Sequence, residues 1–182
     1  MMPRKEIYWW WKNFISKKDI QKINKCKPVF DVDNYDTKNK KTSKVIFLPY
    51  NKIKKYLNNV INTCYISNHQ NFGFDLYHFD ENSNVNHNTY SSKNKGRYDW
   101  HVDINTDYKY DIKFTVLINV SEEKYSGGKF KLMHGGKPEH VKELDEPGNM
   151  IMFRSYTLHK VEPVTKGERK TLTLFLKGPN FK

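Results

Sequence analysis

The sequence predicts a mainly β fold with N-terminal helices, its strands closing into a jelly-roll or cupin-like barrel. Two observations carry that expectation. Helical spacing is confined to the N-terminal side, and after residue 70 the texture changes to short aromatic and β-branched runs separated by turn residues. The even succession of those runs suits antiparallel strands. A chain of 182 residues is long enough for one domain with a real core. That domain is expected to span residues 1–182, with helical support over about 1–66 and the barrel over about 70–180. Its 12 Tyr, 11 Phe and 4 Trp provide large side chains to bury although the mean hydropathy is low.

Ser16 and Asp19 have the spacing of a capping box, and Ile20 and Ile23 follow, so a short helix is predicted over about 17–25. The Lys, Asn and Asp of residues 31–44 read as an exposed loop. From Tyr50, apolar residues recur at Ile53, Leu57, Val60, Ile61 and Cys64, the spacing of one amphipathic helix over four turns. Strands are predicted at 72–79, 98–105, 112–120, 129–133, 149–153, 159–164 and 170–177. Gly127-Gly128, Pro147-Gly148 and Thr165-Lys166-Gly167-Glu168 supply turns. Residues 80–97 are polar and aperiodic, and a loop of that length before a strand reads as a candidate lid.

The formal net charge is +12. Such an excess suits a phosphate backbone or an acidic partner. It is built, however, from 28 Lys against only 4 Arg beside 19 Asn, a split that argues against a nucleic-acid reader, which favours the forked guanidinium. Cys26 and Cys64 fit neither a disulfide framework nor a zinc-finger spacing, and both are expected to be buried thiols. The aromatic N-terminal run is cut by Lys12 and Asn13 and reads as neither signal peptide nor membrane span. The protein is therefore expected in the cytoplasm without a membrane partner, and nothing in the sequence sets an oligomeric state.

The stretch YDWHVDIN places His101 and Asp103 two residues apart, on one face of an extended strand. His159 heads a later strand and supplies a third ligand type. Two His and one carboxylate leave coordination positions open, as in non-haem Fe(II) oxygenases, whereas a structural zinc site is closed by four ligands. The last strand alternates Arg169, Thr171, Thr173 and Phe175 against Leu172, Leu174 and Leu176. With the leucines in a hydrophobic layer, Arg169 faces the interior with no acidic residue on that face of its strand, and a ligand carboxylate would satisfy it.

At these residues the chain resembles the Fe(II)- and 2-oxoglutarate-dependent oxygenases, in particular the prolyl-4-hydroxylase-like group found in bacteria, phages and viruses. The matching stretches are YDWHVD (98–103), YSGGKFKL (125–132), PGNMIMF (147–153), LHKVEPVTKGERKTLTL (158–174) and, more loosely, YWWWKNFISKKDIQKI (8–23). The resemblance implies a double-stranded β-helix core in which His101, Asp103 and His159 bind Fe(II). It implies that Arg169 pairs with the distal carboxylate of 2-oxoglutarate, assisted by Thr171, and that Tyr98 and Tyr77 line the pocket. O2 is then the second cosubstrate, with ascorbate as a reductant. The expected activity is hydroxylation of an unactivated C–H bond, of a prolyl residue in a peptide or protein. One departure is Leu117-Ile118-Asn119, where some prolyl hydroxylases carry a tyrosine before the Asn.

Two other readings stand beside this one. A non-catalytic jelly-roll binding module needs no iron. An alkylated nucleic-acid demethylase shares the fold but often carries a second arginine six residues after the first, where this chain has Phe175. Because His ligands must be neutral, iron affinity is expected to fall as pH drops through about 6.

Overall fold

The computed structural model describes residues 7–35, 40–57, 59–104 and 109–181. Among them, three α-helices and thirteen strands alternate as follows. β1 (Tyr8–Trp11) and α1 (Lys17–Asn24) precede β2 (Phe30–Tyr35) and β3 (Lys41–Pro49). Then come α2 (Tyr50–Ile53), α3 (Val60–Asn71), β4 (Asn84–Ser91), β5 (Arg97–His101) and β6 (Asp111–Asn119). β7 (Ser126–Gly127), β8 (Phe130–His134), β9 (Lys137–His140) and β10 (Met150–Arg154) follow. β11 (His159–Val161), β12 (Val164–Lys166) and β13 (Glu168–Gly178) complete the order. The main sheet runs β1-β10-β6-β13-β4-β3-β5-β11-β8-β9, with β2 on β3, and β12 pairs separately with β7. All pairings are antiparallel. β3 bonds β4 through Lys44–Pro49 and β5 through Lys41 and Thr42, so this one strand carries the sheet from its first half to its second.

The predicted jelly-roll is thus present, and its strands read correctly where burial alternates. On β6, Phe114, Val116 and Ile118 face the helices while Leu117 faces the interior; on β10, Met150 and Met152 oppose Ile151 and Phe153. Leu172, Leu174 and Leu176 of β13 join Ile20, Ile23, Ile53, Leu57, Val60 and Cys64 in the helix-side core. Each such side chain contributes about 1.5–3 kcal/mol of burial. α1 starts where the capping box placed it, with the Ser16 hydroxyl accepting the Asp19 N–H at 3.1 Å.

Several expectations are corrected. Residues 31–44 are not a loop: their described part pairs in the β2–β3 hairpin, and 36–39 lie outside the described residues. The N-terminal third is accordingly part helix and part strand, with β1, β2 and β3 added to the sheet. The single helix expected from Tyr50 is interrupted between α2 and α3, because Asn59 adopts φ 59°, a left-handed conformation that Asn tolerates; position 58 is outside the described residues. Residues 72–79 pack the partly buried Phe72, Phe74, Leu76 and Phe79 against the core but form no strand. β4 and β6 already occupy the two edges of β13, so this segment bonds it only beyond the end of β4, through Tyr77 N–H to Lys177 C=O at 2.8 Å. Cys64 is buried, while Cys26 is only partly so. Position 105 of the strand expected at 98–105 lies outside the described residues.

The candidate lid is the largest correction. Residues 84–91 form β4, paired on one edge with β13 and on the other with β3, in the middle of the sheet. No helix among the described residues is long and apolar enough to cross a membrane.

One buried group on β4 sets an acid limit on the fold. The Nε2 of His87 lies 2.9 Å from Asn24 Oδ1, and its Nδ1 has no hydrogen-bond partner among the described residues. Burial, reinforced by the Lys170 charge, lowers its pKa to about 4. The unfolded chain takes up that proton near pH 6.5, so the stabilisation from neutral His87 is complete above that value and is lost as pH falls toward 4. Urea unfolding at about pH 7 and about pH 5 is expected to show that His87→Gln removes on the order of 2 kcal/mol of the pH-dependent loss.

Candidate active site

β5 and β11 pair with His101 directly opposite His159, and this register brings both imidazoles to one side of the sheet with ring centroids 4.1 Å apart. Asp103 follows the end of β5, where its N–H donates to the Ser155 carbonyl at 2.9 Å. Its carboxylate lies 3.7 Å from His101 Nε2 and 3.4 Å from His159 Nε2. One ligand atom from each of the three lies within 4.8 Å of the others.

The remaining ring nitrogens fix the tautomers. His101 Nδ1 is 2.7 Å from the Asp99 carbonyl, and His159 Nδ1 is 2.8 Å from the Thr157 carbonyl. A carbonyl only accepts, so each Nδ1 carries the hydrogen and each Nε2 presents a lone pair toward Asp103. Burial and the neighbouring His159 lower the pKa of His101 to about 4. That moves the acid loss of this imidazole below the pH of about 6 expected from an unperturbed histidine. Burial opposes ionisation of Asp103, but the adjacent His159 and the Thr115 hydroxyl prevail and hold the carboxyl below its ordinary value. The set offers two imidazole nitrogens and a carboxylate, suited to a divalent metal with open positions.

These ligands line one end of a cavity of about 140 Å³. β4 and β13 build its long wall, with Tyr90 opposite Arg169, Asn88 opposite Thr171 and Asn86 opposite Thr173. This explains why residues 80–97 showed no hydrophobic period: one face of β4 lines a polar cavity, while Val85 and His87 lie buried on the other. Asn88 Nδ2 donates to Thr173 Oγ1 at 3.1 Å. Arg169 is 1% exposed, and its Nη2 has no hydrogen-bond partner among the described residues. A buried guanidinium left in that state calls for an anion in the cavity. Gly128, at φ +62°, makes room for it: a Cβ there would meet Arg169 Cδ at 3.0 Å and Val164 Cγ2 at 2.9 Å.

Of the residues predicted from sequence, His101, Asp103, His159, Arg169, Thr171 and Tyr98 all line this cavity. Tyr98 stacks on His101 with centroids 3.4 Å apart and planes at 17°. Tyr77 does not belong to the cavity: it is 47% exposed, on the unpaired segment after α3. Lys41, Asn86, Asn88 and Tyr90 were missed. The alternation Asn86, Asn88, Tyr90 was a usable signal, hidden by the surrounding Asn and Ser, whereas Lys41 resembled every other lysine. In place of the tyrosine absent at Leu117, Tyr90 sits beside the arginine, 5.7 Å from the guanidinium carbon to the ring centre.

The 2OG-Fe(II) oxygenase superfamily model matches residues 85–177, which include all three ligands and Arg169. The chain belongs to this superfamily. A PKHD-type hydroxylase of Synechococcus sp. (strain CC9605) is 37% identical over 75 residues, 40% of this chain. That match spans only 32% of the relative's own length. Two solved structures share the fold. The viral collagen prolyl hydroxylase of Paramecium Bursaria Chlorella virus-1, in a 2OG complex, aligns with TM-score 0.67 and 17% identity over 98% of this chain and 99% of its own. A Trichoplax adhaerens prolyl hydroxylase, in complex with a hypoxia inducible factor peptide fragment, aligns with TM-score 0.69 and 15% identity, over 93% and 83% of the two chains. Membership in the 2OG-Fe(II) oxygenases implies Fe(II) and 2-oxoglutarate. The donor set fits the metal, and the unsatisfied Nη2 of Arg169 fits a carboxylate of the cosubstrate.

Two supports of this oxygenase site are testable. Thr115 Oγ1 donates to Asp103 Oδ2 at 2.6 Å, so Thr115→Val is expected to weaken Mn(II) affinity by about 10–100-fold in a metal titration. Gly128→Ala crowds Arg169 and strains a left-handed backbone, and calorimetry is expected to show at least about tenfold weaker 2-oxoglutarate binding to the Mn(II)-loaded protein.

Proposed function

We propose that this chain is a 2-oxoglutarate- and Fe(II)-dependent dioxygenase, acting as one domain over residues 1–182, that hydroxylates a prolyl residue of a peptide or protein. The observation that carries the reading is one small cavity holding both a two-His, one-carboxylate cluster, its Nε2 atoms turned toward Asp103, and a buried arginine whose Nη2 has no hydrogen-bond partner among the described residues. Superfamily membership and the hydroxylase names of the relatives support the reaction class. The peptide bound to the Trichoplax adhaerens prolyl hydroxylase supports a peptide substrate.

In this reading His101, Asp103 and His159 hold Fe(II), while Arg169 and Thr171 hold the distal carboxylate of 2-oxoglutarate. Bound together, metal and cosubstrate supply an O2-driven oxidation that hydroxylates a C–H bond and releases succinate and carbon dioxide. The protein's contributions are positional and electrostatic. Asp99 and Thr157 hold the imidazoles by their Nδ1–H groups, and Thr115 orients the carboxylate. Tyr98 covers the His101 ring, and the buried wall excludes water from the reacting centre. Ascorbate would act as a reductant, and the site of action is the cytoplasm, that of a host cell for a phage or viral protein.

The demethylase alternative meets an obstacle in Phe175, which lines the cavity with an aromatic ring where a second cation would be required. Anaerobic titration with Fe(II) and 2-oxoglutarate is expected to produce a visible charge-transfer band that disappears in His101→Ala and Arg169→Ala. Prolyl peptides are then expected to gain one oxygen atom by mass spectrometry, while alkylated DNA assayed in parallel stays unrepaired. A folded, metal-competent protein without the band would return the chain to the binding-module reading.

A further inference from the structure

The cavity contains a second cation with no carboxylate partner. Lys41 enters from β3, in register with Tyr98 of β5, and its Nζ lies 4.8 Å from the Tyr98 ring centre. Tyr98 stacks in turn on His101, so this ammonium stands at the metal-ligand end of the cavity. Arg169 stands at the other end, beside Tyr90 and Gly128. Among the described residues, the one hydrogen-bond acceptor of Lys41 is Asn88 Oδ1 at 3.0 Å, leaving two of its three N–H groups without an acceptor. Asn88 is held in that orientation by its own bond to Thr173.

Charge balance says what such a cavity takes. Among the described residues, Asp103 is the one carboxylate lining it. A divalent ion on two neutral imidazoles and one carboxylate leaves a single net positive charge, and Lys41 and Arg169 raise it to three. A monoanion leaves most of that uncompensated in a small, partly dry space, whereas a dianion offsets two charges and reaches toward both ends.

We propose that Lys41 is a cosubstrate-binding residue that holds the metal-side carboxylate of the 2-oxo acid, so that the cavity grips a dianion by a cation at each end. The assignment rests on the oxygenase reading above. It gives β3 a function beyond joining the halves of the sheet: the strand delivers the charge that meets the reactive end of the cosubstrate. It also gives Asn88 a positioning role, fixing the ammonium between β3 and β13.

The test is calorimetric binding of 2-oxoglutarate and of 2-oxobutyrate, which lacks the distal carboxylate, to Mn(II)-loaded wild type, Lys41→Met and Arg169→Met. Lys41→Met is expected to weaken both ligands about tenfold or more, whereas Arg169→Met weakens 2-oxoglutarate alone. Lys41→Met is also expected to keep or raise the melting temperature of the ligand-free protein, because it removes a partly buried charge without a carboxylate partner. Unchanged binding of either ligand in a folded Lys41→Met protein overturns the assignment, as does a lower melting temperature with unchanged binding, which would make the lysine structural. Wild-type protein that loads Mn(II) but binds neither 2-oxo acid overturns the oxygenase reading, and this assignment with it.

Discussion

The antiparallel register that sets His159 opposite His101 is the contact on which the rest of the site depends. A one-residue slip between β5 and β11 would send one imidazole to the opposite face and separate the pair. The same register ends β5 where Asp103 can leave the strand, bond the Ser155 carbonyl and turn its carboxylate between the two rings. The backbone carbonyls of Asp99 and Thr157 then complete the arrangement by taking the Nδ1 hydrogens. Ligand geometry and tautomer both follow from strand pairing, with no further side chain needed to choose the proton positions.

The long wall of the cavity shows how one strand serves two environments. Leu172, Leu174 and Leu176 anchor β13 in the helix-side core, and the intervening Arg169, Thr171 and Thr173 are thereby forced inward. β4 does the same with less hydrophobic material, burying Val85 and His87 outward and presenting Asn86, Asn88 and Tyr90 to the cavity. A polar strand at the centre of a sheet is tolerable because both edges are paired, which satisfies its backbone, and because its side chains bond one another across the wall. The buried Nη2 of Arg169 is left without a hydrogen-bond partner among the described residues. Destabilisation of that kind is what a binding site accumulates in the absence of its ligand, since groups shaped for an anion have nothing else to pair with.

Family membership and cavity chemistry support each other at different levels. The superfamily match covers the stretch from β4 to β13, so it includes both strands of the long wall and all three candidate metal ligands. Lys41 lies outside that stretch, on a strand that precedes it, and joins the cavity only because β3 crosses from β4 to β5.

The sequence alone determined the local and periodic features: the capped α1, the leucine face of β13, the turns at glycines that adopt positive φ, and the His-x-Asp, distal His and Arg pattern. Each depends on residues near one another in the chain, so spacing and elementary geometry suffice. Tertiary structure decided the rest. The failure of residues 72–79 to pair, the central place of β4 and the arrival of Lys41 beside Tyr98 all depend on which strand edges are already occupied. Edge occupancy is a property of the assembled sheet. A polar run such as residues 84–91 looks like a loop until the strands that satisfy its backbone and the cavity that receives its side chains are both in place.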